Sequence, residues 1–258
     1  MQESAPPPAV VLHDLWKRFG PQTAVAGLSL DLPAGSFVGL VGPNGAGKTT
    51  TLSMATGLLR PDAGSVLIHG VDVWRDPVEA RARIGILPEG LRMFERLSGR
   101  ELLQYNGRLR GLPGPEVDRR AGELLAVLDL EAAGDKLVAD YSTGMRKKIG
   151  LAAALLHNPD VLFLDEPFEG VDPVSAQTIR GVLGRYAASG STVVFSSHVM
   201  ELVEQLCDWV AVISAGQVIA RGPLETVRGG RSLHAAFLEL IGVREDDGRS
   251  LDWLGGAR

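Results

Sequence analysis

Residues Gly42-Pro43-Asn44-Gly45-Ala46-Gly47-Lys48-Thr49 satisfy the pattern of a glycine, four residues, then Gly-Lys-Thr/Ser, and they follow the apolar run Phe37 to Val41, which reads as a strand. Glycines at this spacing let backbone N–H groups close around phosphates, and a helix beginning there offers its positive end. Lys48 can then reach the β- and γ-phosphates while the Thr49 hydroxyl ligates Mg²⁺. The pattern predicts a nucleoside triphosphate site. A strand before it and a helix over Thr49 to Leu59 after it supply the context that this chemistry needs.

Two further constellations suit the same chemistry. Val161-Leu162-Phe163-Leu164-Asp165-Glu166-Pro167 places two carboxylates just past a continuously apolar and therefore buried strand, where open α/β sheets place their ligands. Asp165 suits the surroundings of Mg²⁺, and Glu166 suits a general base orienting water towards the γ-phosphate. Tyr141-Ser142-Thr143-Gly144-Met145 precedes a helix over Arg146 to His157, so Ser142 Oγ and the N–H groups of Thr143 and Gly144 form a second anion site. Two such sites invite one triphosphate between them. His198 directly follows a strand over Thr192 to Ser197. Taken singly, these residues have ordinary readings as helix caps and a core histidine; their combination with the glycine loop favours the site.

The elements that must position them alternate in type. Gln2 to Ala9, with three consecutive prolines, reads as a disordered leader, and the fold is expected to begin at Val10. Short strands follow over Val11 to Phe19, Leu28 to Leu32, Phe37 to Val41 and Val66 to Ile68, with turns at Pro33-Ala34-Gly35 and Pro61 to Gly64. From Ser98 the character becomes helical: Ser98 and Glu101 form a capping box, and Pro115 opens a helix with Val117, Leu124, Leu125 and Leu128 on its apolar face. After Asn158-Pro159, strands at Val161 to Leu164 and from Thr192 alternate with helices opening at Asp172-Pro173 and spanning Val199 to Cys207. Trp209 to Ile213 and Gln217 to Ala220 then form a strand pair about Ala215-Gly216. This alternation implies a parallel sheet covered on both faces. Ser232 to Ile241 carries apolar residues at amphipathic-helix spacing and is expected to pack back on the core.

Composition narrows the classes. The chain has 258 residues, 45% hydrophobic, enough for a large core. No apolar run approaches the ~20 residues that span a bilayer, nor does the start resemble a signal peptide, so the expected place is the cytosol. A net charge of −5 offers no footprint for nucleic acid. The single cysteine, Cys207, excludes an internal disulfide and leaves no metal-ligand spacing.

The order of glycine loop, Ser-x-Gly, Asp-Glu after a strand, Asp-Pro and a lone His resembles the ATP-binding-cassette ATPase family over roughly Val10 to Arg228. The resemblance implies an α/β fold: a phosphate-loop NTPase core with a mostly parallel sheet, an antiparallel β subdomain and an inserted helical subdomain at about 90–158. The ATPase domain is then 10–228, and 229–258 is a C-terminal helix and tail. It also implies ATP and Mg²⁺ as cofactors, bound by Gly42, Pro43, Asn44, Gly45, Ala46, Gly47, Lys48, Thr49 and Thr50. Phe19 matches the aromatic that stacks on adenine, and Ser142 and Gly144 the signature. Asp165 matches the magnesium aspartate, Glu166 the catalytic glutamate, Asp172 the loop that crosses the dimer interface and His198 the γ-phosphate sensor. Thr49, Asp165 and Glu89 make up the implied metal site, and Glu166, His198 and Lys48 the catalytic set.

In this family two cassettes sandwich two ATP molecules, each between the phosphate loop of one chain and the signature of the other. The implied partners are therefore a second copy or a homologous cassette, and an integral membrane permease subunit, with the chain peripheral on the inner face of the cell membrane. Three positions depart from the usual pattern: Glu89 stands where the family has Gln, Tyr-Ser-Thr-Gly-Met where it has Leu-Ser-Gly-Gly-Gln, and Glu169-Gly170-Val171-Asp172 where it has Ser-Ala/Gly-Leu-Asp. The Tyr-Ser-x-Gly-Met form resembles the bacterial exporter branch, which moves drugs, lipid-linked glycans or ions. The alternative is a soluble cassette ATPase uncoupled from transport. Chromosome-type relatives insert a long coiled coil for which too few residues separate Lys48 from Ser142, and translation-type relatives carry two cassettes per chain. Met93, Phe94 and Leu97, just after Glu89, are candidate anchors for a partner helix.

Overall fold

A computed structural model describes residues 7–90 and 92–242. The chain opens with β1 (Pro8–Phe19), β2 (Gln22–Pro33) and β3 (Phe37–Val41), passes into α1 (Lys48–Ala55), and continues through β4 (Ala63–Ile68), β5 (Val71–Asp72), α2 (Pro77–Ala82) and β6 (Ile84–Leu87). A helical stretch follows: α3 (Gly99–Leu109), α4 (Gly114–Val127) and α5 (Thr143–Leu155). The remainder alternates as β7 (Val161–Asp165), α6 (Pro173–Ala188), β8 (Thr192–Ser197), α7 (Met200–Leu206), β9 (Trp209–Ser214) and β10 (Gln217–Pro223), and closes with α8 (Leu224–Arg228) and α9 (Leu233–Leu240).

The strands form two sheets. Four antiparallel strands lie in the order β2-β1-β4-β5, and six lie in the order β10-β9-β3-β8-β7-β6, parallel except for the β9–β10 hairpin at one edge. Successive side chains of a strand point to opposite faces, and here both faces are apolar. On β7, Val161 and Phe163 join one core and Leu162 and Leu164 the other; on β3, Val38 and Leu40 oppose Phe37 and Val41 in the same way. One core fills the space between the two sheets and takes Leu52 and Met54 of α1. The other lies under the helices, with Leu103, Leu125, Ile149, Ile179, Leu183 and Val203. The Phe37 N–H donates to both oxygens of Asp208 at 3.1 and 3.2 Å, anchoring the start of β3 that precedes the glycine loop.

Several boundaries differ from expectation. β1 begins at Pro8, not Val10: Ala9 is fully buried and its carbonyl accepts the His69 N–H at 2.8 Å, so Pro8 and Ala9 belong to the sheet and not to a leader. Proline is tolerated there as the first residue of a strand. Residues 1–6 lie outside the described residues. α1 ends at Ala55 rather than Leu59, because Thr56 caps it and Gly57 turns the chain away. α5 starts at Thr143, three residues before Arg146, because Ser142 accepts the Met145 N–H and caps it. The Ser98–Glu101 capping box is present with both hydrogen bonds. α9 buries Leu233, Ala236 and Phe237, and the Leu233 N–H donates to Glu204 at 2.6 Å; residues 243–258, most of the expected tail, lie outside the described residues.

Phe195 is fully buried in β8 and meets Phe37 and Phe168 edge-on, with ring centroids 5.6 and 6.1 Å apart. Replacing it with alanine leaves a cavity where two cores' worth of strands converge on the site. Phe195→Ala is expected to lower unfolding free energy by about 3–5 kcal/mol, read as a fall in the denaturant midpoint at unchanged slope.

Candidate functional site

The glycine loop occupies the turn between β3 and α1, and its shape is set by close packing. Gly47, which caps α1, has φ +101°, and a Cβ there would stand 2.5 Å from the Ala24 carbonyl oxygen, so only glycine fits. Lys48 is 7% exposed, and its ammonium donates to the carbonyls of Gly42 at 2.8 Å and Pro43 at 3.2 Å. The loop is thus braced by its own lysine. Burial lowers the Lys48 pKa, against the opposing pull of Glu166, Asp165 and Glu89.

The acidic side is built at the ends of β7 and β8. Asp165 pairs with Ser196 across the parallel ladder, and the Ser196 hydroxyl donates to Asp165 Oδ1 at 2.5 Å while accepting the Glu166 N–H at 3.0 Å. Burial raises the Asp165 pKa; the hydroxyls of Ser196 and Thr49 pull it down, and Glu89 adds to the rise. Glu166 has φ +45°, a left-handed conformation costly for a residue with a side chain. Its carboxylate Oε1 lies 3.0 Å from Nδ1 of the half-exposed His198. Strained backbone just past a buried strand is a common mark of a working site.

Phe19, Asn44 to Thr50, Glu89, Glu166 and His198 line one cleft of about 500 Å³. The Thr49 hydroxyl donates to Glu89 Oε2 at 3.2 Å across its floor. Phe19 closes one end, about half exposed on the β1–β2 hairpin, with the Lys17 ammonium 5.8 Å from its ring. Gly42, Pro43 and Asp165 sit behind the lining, reached through Lys48 and Ser196. Among the described residues no group of three or more His, Cys, Asp or Glu side chains is disposed to hold a metal. The oxygen donors of Thr49, Glu89 and Asp165 fit instead a hard cation such as Mg²⁺, which keeps several waters and takes further oxygens from substrate phosphates.

Ser142, Gly144 and Asp172 do not line this cleft. They form a second cluster where α5 and α6 begin: Asp172 accepts the Ser175 N–H at 2.9 Å, and a Cβ on Gly144 would stand 2.6 Å from Ser175 Oγ and 2.8 Å from Asp172 Oδ2. A single chain therefore does not bring the two expected anion sites onto one triphosphate. Gln22, Ala24 and Glu169 line the cleft without having been singled out for it, and Ser196 and Lys147, whose ammonium donates to the Glu166 carbonyl at 2.8 Å, support Glu166 from behind. Their signal lies in pairing across distant strands and helices, which local spacing does not carry.

The segment after Glu89 lines a separate hollow of about 760 Å³ with Met93, Phe94 and Leu97. Met93 and Leu97 pack partly inward, whereas Phe94 is 58% exposed and edge-on to Tyr105 at 5.1 Å. Arg146, at the start of α5, reaches this segment through Glu95 at 2.8 Å.

Comparison with known proteins agrees in both sequence and shape. A family model described as ABC transporter matches residues 25–169. The daunorubicin resistance ATP-binding protein DrrA3 of Streptomyces coeruleorubidus is 38% identical over 94% of this chain and 82% of its own length. The Nod factor export ATP-binding protein I of Ralstonia nicotianae is 40% identical over 93% of this chain and 74% of its own. A solved ATP-binding subunit of an ABC transporter superposes with a TM-score of 0.84 at 29% identity, covering 90% of this chain and 99% of that one.

Ser196 is fully buried and satisfies both the Asp165 carboxylate and the Glu166 N–H. Ser196→Ala leaves those two groups without their partner and is expected to lower stability by about 1–3 kcal/mol; urea unfolding of the nucleotide-free protein measures it.

Proposed function

The chain belongs to the ABC transporter family, and we propose that its cleft holds MgATP, pairs head-to-tail with the second cluster of another cassette, and powers export through a separate membrane subunit. It is an ATP-hydrolysing enzyme of that family. The observation that carries the paired reading is the division of the site: the glycine loop, Glu166 and His198 share one cleft, while Ser142, Gly144 and Asp172 lie outside it. A second copy or a homologous cassette supplies the missing part.

Each residue's role follows from its surroundings. Phe19 offers an exposed ring to the base. Lys48 exchanges the Gly42 and Pro43 carbonyls for β- and γ-phosphate oxygens, trading neutral acceptors for charged ones. The first N–H groups of α1, from Lys48 to Thr50, point their positive end at the same phosphates. Thr49, Asp165 and Glu89 would hold Mg²⁺, which supplies neutralisation of the charge that builds on the phosphates. Glu89 retains an oxygen acceptor where the family has an amide, and it already takes the Thr49 hydroxyl hydrogen. Glu166 accepts a proton from the attacking water and fixes its direction, with His198 holding the carboxylate and standing ready at the γ-phosphate. At the second cluster, Ser142 Oγ accepts the Met145 N–H, which leaves its own hydrogen free to donate to a phosphate on the neighbouring chain.

Transport is favoured over the soluble alternative by the relatives, which are ATP-binding proteins of resistance and export systems. No helix among the described residues is long and apolar enough to cross a membrane. We assign the permeation path to a separate permease subunit, with Met93, Phe94 and Leu97 as its docking segment and the chain peripheral on the cytoplasmic face. The transported molecule is then selected by that subunit.

Two substitutions test the chemistry. Glu166→Gln keeps shape and loses the base, so ATP affinity is expected to hold while turnover falls by ~10²–10⁴. Lys48→Ala is expected to weaken binding itself. Titration with a fluorescent ATP analogue and phosphate release measure both, and hydrolysis at the parent rate by Glu166→Gln would refute the role of Glu166. The division of the site is tested by mixing Lys48→Ala with Ser142→Arg. One of the two interfaces then combines an intact glycine loop with an intact Ser142, so mixed dimers are expected to trap more nucleotide than either mutant alone.

A further inference from the structure

Glu166 is held in its left-handed conformation from three directions. Its N–H donates to Ser196 Oγ at 3.0 Å, its carboxylate meets His198 at 3.0 Å, and its carbonyl accepts the Lys147 ammonium at 2.8 Å and, at a longer 3.3 Å, the Glu169 N–H. The third hold comes from an unexpected place, the second turn of α5, the helix that Ser142 caps. Burial lowers the Lys147 pKa, against the opposing pull of Glu169, Asp165, Glu166 and Glu89. Yet among the described residues no carboxylate pairs with it within 4.0 Å; the half-buried amine bonds a neutral carbonyl instead. A long, flexible cation near acids has many ways to be satisfied, and here it is fixed on the main-chain oxygen of the strained residue itself.

We propose that Lys147 is a positioning residue for Glu166: by holding its carbonyl, Lys147 fixes the strained main chain and so the direction in which the carboxylate meets water. This rests on the reading of Glu166 as the water-orienting base. The link makes the start of α5, which faces the neighbouring chain's nucleotide in the paired arrangement, mechanically continuous with the base of the chain's own site. Misplacing a reacting group by about 1 Å costs up to about a hundredfold in rate without altering substrate binding.

The test compares Lys147→Met, which keeps the apolar stem and loses the donor, with Lys147→Arg, which keeps donor and charge, and runs Glu166→Gln beside them. Turnover, KM, affinity for a fluorescent ATP analogue and the thermal midpoint are measured on each purified protein, with the membrane subunit present where turnover requires it. Lys147→Met is expected to lose about ten- to a hundredfold in kcat with nucleotide affinity within about twofold and an unchanged thermal midpoint, and Lys147→Arg to recover most of the rate. Parental kcat in Lys147→Met, or a loss confined to affinity, or an equal loss in both variants with a lowered thermal midpoint, overturns the proposal. If Glu166→Gln is inactive while Lys147→Met turns over normally, only the role of Lys147 falls. Parental turnover by Glu166→Gln removes the reading on which it stands.

Discussion

Strands buried on both faces allow polar side chains only at their ends, and the cleft is organised around that constraint. Along β3, β7 and β8 consecutive residues feed alternately into two apolar cores, so a charge within the span would have no partner on either side. At the carboxyl ends the cores give out. There the sheet delivers the glycine loop from β3, Asp165 and Glu166 from β7, and Ser196, Ser197 and His198 from β8, all at neighbouring positions because the three strands are adjacent and parallel. The antiparallel sheet contributes at the rim, through Phe19 and Gln22 on its hairpin and the Ala24 carbonyl against Gly47.

The charges gathered there are balanced rather than paired. Lys48 and Asp165 are both buried, and burial moves their pKa values towards neutrality from opposite sides, the lysine's down and the aspartate's up. Neither makes a direct ion pair with the other: the lysine bonds to carbonyls and the aspartate to a serine hydroxyl. Such an arrangement leaves the cation free to be redirected. An ion pair locked between these two buried groups would have to be broken before a phosphate could be gripped, at a cost of several kcal/mol.

How much of this was legible in the sequence depended on whether the signal was local. The glycine loop is a contiguous pattern whose turn, helix start and lysine are fixed by neighbours in the chain, and the run Val161 to Leu164 announced both its burial and the acids beyond it. The capping box at Ser98 and the helix face of Val117, Leu125 and Leu128 were equally local. Other elements escaped because tertiary contacts decide them. Pro8 and Ala9 read as a leader, yet the sheet recruits them into an interior strand, Pro8 opposite Pro33 and Ala9 through the His69 N–H. β6 is four residues long and α2 six, too short for periodicity to register. Ser196 was one polar residue at the end of a strand, and Lys147 one of three basic residues on a helix. Each became meaningful only when a partner thirty or twenty positions away in the chain, roughly, was brought against it.

The placement of Ser142, Gly144 and Asp172 away from the cleft carries a consequence for dosage. On the paired reading, an isolated chain can load nucleotide but lacks the pieces that finish the site, so consumption at low abundance follows the square of the amount of protein rather than the amount itself. Halving expression then cuts fuel use fourfold, and surplus copies without a neighbour idle instead of draining the cell. On the same proposed reading, a membrane subunit that gathered two chains in one place would raise their effective concentration to about the millimolar range and so turn on spending where it sits.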